Sequence, residues 1–169
     1  NTSQEVLVWI EKILGYAPMF FEWNIWDAGL LEKIFSQYNI DGVVHFAGLK
    51  AVGESTQNIW LYHRNNISES ITLFETMERY GVRKCIFSSS ATVYDPSNAP
   101  EYIEWQSLGT TNPYGTTKLV IEKLLEDYAR HVGWSIISLR YFNPIWAHPS
   151  GYIGEKPNGV PNNLLPYIF

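Results

Sequence analysis

Sulfur chemistry is nearly absent from this sequence, whose single cysteine, Cys85, excludes an internal disulfide. Cys85 sits in the apolar run 84–87, where a buried, inert thiol is expected rather than a reactive one. No apolar stretch approaches the roughly 20 residues that a membrane-spanning helix needs. The first residues carry no signal-peptide pattern, so the chain reads as cytoplasmic, and the Asn-x-Ser/Thr matches at Asn1 and Asn66 read as unmodified. Basic residues are few and scattered: 12 Lys and Arg stand against 17 Asp and Glu, for a net charge of −5. That balance gives no electrostatic footprint for nucleic acid or for an anionic membrane. Histidines are also scarce. His45 and His148 lack companion ligands at metal-binding spacing, so no metal site is expected and both read as structural.

What is present describes a folded domain. Hydrophobic residues make up 46% of the 169 and charged residues 17%, a composition that argues against intrinsic disorder and for one domain with a real core. Tryptophan is unusually frequent, at seven, and Trp23, Trp26, Trp105 and Trp146 fall in unexpected places.

Extended and helical patterns alternate along the chain. Residues 3–14 read as a helix with Val6, Ile10, Ile13 and Leu14 on one side and Gly15 as its stop. Residues 19–25 read as a short extended run. Asp27 is placed to cap a helix whose apolar positions are Leu30, Leu31, Ile34, Phe35 and Tyr38. The run 42–48 is apolar on both faces and bounded by glycines, as expected of a buried parallel strand. A long helix is expected from 58 or 59 to 80, a buried strand over 84–89, and a loop to 112. Pro113 suits the first turn of a helix running to about 131, and 135–141 reads as a strand. A Gly- and Pro-rich loop follows, with a short helix expected over 163–168.

Such alternation predicts an α/β fold built on a parallel sheet. Ligands of these sheets lie beyond the carboxyl ends of the strands. Three polar or Gly-rich segments fall there: 46–50, 88–92 and 142–144. Tyr114 and Lys118 are four residues apart, hence on one helix face. A nearby ammonium is expected to lower the phenol below its ordinary pKa of about 10 and ready it for proton transfer. Ser90, just past a buried strand and 24 residues before Tyr114, is placed to help hold the same substrate oxygen. Ser88 and Ser89 read as a Ser-rich turn.

The Ser90, Tyr114, Lys118 trio on this scaffold points to the short-chain dehydrogenase/reductase class. The segments 45–55, 88–94, 112–115, 139–144 and 161–167 resemble those of its extended branch, specifically the UDP-glucose 4-epimerase family, over nearly the whole chain. Sugar-nucleotide dehydratases of the same superfamily usually carry an acidic residue near the position of Thr92. The resemblance implies Tyr114 as catalytic base, Ser90 as its partner in contact with substrate, and Lys118 as ligand of the nicotinamide ribose. It implies NAD contacts from Asn24, Ile25, Phe46, Ala47, Gly48, Lys50 and Asn65, with Tyr141 and Phe142 at the nicotinamide end. Asn143, Asn163 and Leu164 would meet the UDP-sugar. The helices 59–80 and 113–131 would pair into a homodimer.

The same resemblance implies a partial dinucleotide-binding domain over 1–143 and the start of a substrate-binding region over 144–169. The expected architecture is a Rossmann-like parallel sheet flanked by helices, without its first two strands and phosphate loop. None of the 12 glycines forms the Gly-x-x-Gly-x-x-Gly fingerprint, so NAD binding by this chain alone is expected to be poor. Asn24 and Trp146 also replace the Asp and Gly usual in the family. Two functions follow as expectations: an epimerase interconverting UDP-glucose and UDP-galactose, or a catalytically incompetent fragment or redesigned domain that acts as a dimerising module.

Overall fold

The computed structural model describes residues 5–22, 24–99, 101–145 and 147–154. The chain divides into two compact units, one of residues 1–22 with 143–169 and the other of residues 23–142. In the smaller unit, α1 (Glu5–Leu14) ends at Gly15, whose φ of 79° gives the left-handed stop. Lys12 places its ammonium 5.3 Å from the centre of the Tyr152 ring.

The larger unit is built on three parallel strands, β1 (Val43–His45), β2 (Lys84–Ser90) and β3 (Ser135–Tyr141), in the order β1-β2-β3. Their register pairs Val43 with Cys85 and Cys85 with Ile136. Each crossover runs through helix, as parallel pairing requires. α2 (Ala28–Gln37) starts where Asp27 accepts a hydrogen bond from the Leu30 amide, at 3.1 Å. After β1 come α3 (Val52–Gln57), α4 (Ile59–His63), a π-helical turn (Arg64–Ser68) and α5 (Glu69–Arg79). Between β2 and β3 lie a short 3-10 turn (Ala91–Val93), α6 (Pro113–Asp127) and a second π turn (Tyr128–Val132).

The core lies on one face of the sheet. Leu31 and Phe35 of α2, Leu73, Phe74 and Met77 of α5, and Ile121 and Leu125 of α6 pack with Cys85, Phe87 and Trp134. Cys85 is buried, and burial pushes its thiol up to about 11, which leaves it inert.

Residues 19–25, where described, join no sheet. Several expectations need correction. The strand expected over 42–48 shortens to Val43–His45 and is buried on one face only: His45 is covered while Val44 is 56% exposed. Ile137 on β3, in register with Ile86 and so with Val44, is also 55% exposed, because α5 and α6 cover the opposite face. The single helix expected over 59–80 is interrupted by a π turn, and the separate α3 precedes it. The 113–131 helix likewise finishes in a π turn, and Gly133, at φ 77°, ends it. Ser88 and Ser89 belong to the strand rather than to a turn. The helix expected over 163–168 lies outside the described residues.

Candidate active site

The site forms beyond the carboxyl ends of the three strands, where the chain leaves each strand and enters irregular backbone. β2 delivers Ser90. The first two turns of α6 deliver Tyr114 and Lys118, with Asn112 capping the helix by accepting from the Gly115 amide at 2.8 Å and Pro113 in the first turn. The cap fixes the helix start, and the four-residue spacing then fixes both side chains on one buried face.

The hydroxyl of Ser90 accepts from the Thr92 amide at 3.2 Å and from the Thr92 hydroxyl at 3.0 Å. With both lone pairs engaged, its proton is left available to the phenol of Tyr114, whose pKa Ser90 acts to lower. Close packing holds this arrangement: a Cβ on Gly115 would come within 2.9 Å of the Thr92 carbonyl oxygen. Burial raises the Tyr114 pKa and the Ser90 hydrogen bond opposes that rise. The expectation of a phenol lowered by Lys118 is therefore corrected. The Lys118 ammonium sits 5.8 Å from the Tyr114 ring centre but donates to the Ser88 carbonyl, at 2.7 Å, rather than to the phenol. Burial lowers Lys118 itself to about 8.

The loop after β1 approaches from the other side. Gly48 takes φ 148°, a conformation that suits glycine, and a Cβ there would stand 3.2 Å from Asn66 Oδ1 and 3.8 Å from Lys118 Nζ. Asn66, from the first π turn, clamps this loop. Its carbonyl accepts from the Leu49 amide at 2.8 Å, and its NH2 donates to the Leu49 carbonyl and to Thr117 Oγ1, each at 3.0 Å. Asn65, the sequence candidate, donates to Asn66 Oδ1 at 3.0 Å. The π turn advances the chain by one extra residue, and a π turn inside a helix often marks a functional site. By sequence Asn65-Asn66 reads only as a polar helix position, because the partners of Asn66 lie 17 and 51 residues away.

His45 lies between Phe74, which it meets edge-on, and Phe87, which is tilted to it, with ring centres at 5.9 and 5.6 Å. Ser70 gives its proton to the Asn66 carbonyl, so the 2.8 Å contact from His45 Nε2 is the imidazole donating to Ser70. Burial, with Lys118 as the second cause, depresses His45 to about 4 and keeps it neutral.

The remaining candidates divide into groups. Ile25, Phe46 and Ala47 line one apolar groove of about 290 Å³ beside β1, while Asn24 is exposed in the turn leading to α2. Lys50 is exposed. Tyr141 ends β3 with its ring 6.3 Å from that of Phe46. Phe142 is 59% exposed and stacks on Tyr94 at 6.4 Å. Asn143 is exposed and begins the second segment of the smaller unit. Asn163 and Leu164 lie outside the described residues. His148 contacts Ser150 through Nδ1 at 2.8 Å.

A tyrosine and a lysine one helical turn apart, a strand-end serine that acts on the tyrosine, and parallel strands opening toward them define the short-chain dehydrogenase/reductase class of site. Within that class the assignment sharpens. The chain belongs to the NAD dependent epimerase/dehydratase family, which it matches over residues 2–168. It is 52% identical over 170 residues to the UDP-glucose 4-epimerase of Yersinia enterocolitica, covering 99% of this chain and 51% of that protein. Against the UDP-glucose 4-epimerase of Bacillus subtilis (strain 168) the identity is 48% over 169 residues, with 99% and 50% covered. Two solved structures superpose with a TM-score of 0.94 at 45% identity, each over 99% of this chain. One is the Stenotrophomonas maltophila UDP-glucose-4-epimerase with bound NAD and formylated UDP-arabinopyranose, covered over 50% of its length. The other is the Bifidobacterium longum enzyme in complex with NAD+ and UDP, covered over 51%. The chain thus spans about half the length of the curated relatives it matches.

Proposed function

We propose that the protein carrying this chain is a UDP-glucose 4-epimerase, which interconverts UDP-glucose and UDP-galactose on a tightly held NAD. The observation that carries this reading is the convergence of Ser90, Tyr114 and Lys118 at the strand ends. In this reading Tyr114 takes the proton of the sugar 4-hydroxyl and later returns it. Ser90, oriented by Thr92, donates to the phenol oxygen and favours the phenolate. Lys118 holds the nicotinamide ribose. When bound, NAD supplies a reversible hydride acceptor for carbon 4 of the sugar.

The residues present fit the nicotinamide and ribose end of the cofactor. Gly48 leaves room that a Cβ would fill, Phe46 and Phe142 offer exposed rings, and Lys118 stands within reach of Gly48. Ala47, Lys50, Asn65 and Tyr141, with Asn24 and Ile25, are assigned to the same cofactor, and Asn143, Asn163 and Leu164 to the UDP-sugar. The sequence offers no Gly-rich cradle for the pyrophosphate. Residues 1–143 accordingly serve as part of a dinucleotide domain and 144–169 as the start of the substrate region.

The helices 59–80 and 113–131 expose Ile59, Trp60, Leu61, Ile71 and Val120, which supports a homodimer through that surface. The same surface supports a second reading, in which this chain by itself is a dimerising module without activity. Among the described residues no helix is long and apolar enough to cross a membrane, and we place the enzyme in the cytoplasm. The test is the full-length protein incubated with UDP-galactose. Release of UDP-glucose, with one NAD recovered per subunit on denaturation, supports the reading; no conversion and no bound nucleotide overturn it.

A further inference from the structure

Beneath the site lies a buried ion pair, Arg140 with Glu122. Glu122 follows Lys118 by one helical turn on α6 and is 8% exposed. Arg140, the penultimate residue of β3, donates through Nη2 to Glu122 Oε2 at 2.8 Å and through Nε to both carboxylate oxygens at 3.1 and 3.2 Å. The side chains are only 18% and 7% exposed, and the fork-on-carboxylate geometry gives both direction and strength. The Glu122 hydrogen bond is the first cause of the raised Arg140 pKa, so the guanidinium stays charged.

Each member of the pair also grips a segment that carries the site. Glu122 Oε1 accepts a short hydrogen bond from Ser89. Ser89 sits between Ser88, whose carbonyl holds the Lys118 ammonium, and Ser90. Arg140 Nη1 donates to the Glu104 carbonyl at 3.1 Å and so ties down the stretch between β2 and α6. Its guanidinium lies 4.9 Å from the centre of the Tyr94 ring, which stacks in turn on Tyr102 and Phe142. One charged pair therefore links the end of β2, the helix bearing Tyr114 and Lys118, the end of β3 and the intervening loop.

We propose that Glu122 and Arg140 are positioning residues, which act through Ser89 and the Ser88 carbonyl to hold Ser90, Tyr114 and Lys118 in working geometry. Two alternative roles fit less well. A surface ion pair would contribute little and would not be buried. A pair serving stability alone has no need of its links to Ser89 and Glu104, since replacing such pairs with apolar residues is often neutral or stabilising. The proposal rests on the epimerase reading for its kinetic arm only.

The experiment compares full-length wild type with Glu122→Gln, Arg140→Lys and Ser89→Ala, each at a temperature where circular dichroism shows it folded. Glu122→Gln keeps the shape and removes the charge. Arg140→Lys keeps the charge and loses the fork. Ser89→Ala removes one hydroxyl and remains foldable if the charge variants do not. Glu122→Gln is expected to lower kcat at least about tenfold while KM for the UDP-sugar stays within about threefold and NAD stays bound, as misplacement of reacting groups predicts. Arg140→Lys and Ser89→Ala should lower kcat in the same sense, Ser89→Ala least.

A second readout needs no turnover: the titration of Lys118, followed at its Nζ by NMR, which stands apart from ordinary lysines by its midpoint near 8. It should move in Glu122→Gln and Ser89→Ala, because the carbonyl that holds the ammonium shifts. Wild-type kcat and an unmoved Lys118 titration in folded variants overturn the proposal, whatever their loss of melting temperature. Inactive wild type would sink the epimerase reading, and the Lys118 titration alone would then decide this one.

Discussion

Acidification should weaken this fold in part through His45. Its folded value of about 4 lies well below the model-peptide value of 6.5, because burial between Phe74 and Phe87 and the neighbouring Lys118 both disfavour the imidazolium. A depressed histidine means that the unfolded chain binds more protons than the folded one between those two values. Its stabilising contribution is therefore complete above about pH 6.5 and is lost as the pH falls toward 4. Integrating the linkage from pH 8 to pH 5 with those two values gives a loss of about 2 kcal/mol. The partner that removes the effect is His45→Phe, which keeps a ring among the aromatics. Ser70 still donates to the Asn66 carbonyl in that variant, so it loses one incoming bond only. Urea midpoints of wild type and His45→Phe at pH 8 and pH 5 isolate the term. Exposed carboxylates such as Asp95 and Glu126 titrate in both proteins and cancel. The wild type should lose about 2 kcal/mol more than the variant over that interval. Equal losses would refute the reasoning and would mean that His45 charges in place without penalty.

Other perturbations test the packing and the clamp. Phe74→Ala empties a fully buried site at the centre of the core and should cost about 3–5 kcal/mol, read from the urea midpoint. Gly115→Ala forces a methyl against the Thr92 carbonyl; it should destabilise by about 1–3 kcal/mol and disturb the Ser90 hydrogen bonds, visible in a crystal structure of the variant. Asn66→Ala leaves the Leu49 amide and carbonyl without their partner, at about 1–3 kcal/mol, and should loosen the 46–49 loop so that its amides exchange hydrogen faster.

The parts of this structure that were legible in the sequence are those set by short-range pattern. The cap at Asp27, the proline opening α6 and the bounds of β3 all follow from local chemistry, and the parallel pairing follows from alternation of strand and helix. Tyr114 and Lys118 were legible because four residues in a helix is a geometric statement. The π turns were not, since the phase shift made by one extra residue is hard to see between helices as short as α4 and α5. Asn66 and the Glu122–Arg140 pair were missed for a related reason. Their meaning lies in partners 17, 18 and 51 residues away, brought together only once the sheet has formed. The openness of Val44 was hidden as well, because an apolar strand reads as covered on both faces whether or not a second layer packs there.

The central claim is that Tyr114 moves the proton in a UDP-sugar epimerisation, and Tyr114→Phe in the full-length protein tests it most directly. The ring stays in its pocket and only the hydroxyl is lost, so NAD should remain bound while kcat for UDP-galactose falls by about 10²–10⁴-fold. Turnover within a few fold of wild type, with NAD still bound, would contradict the account.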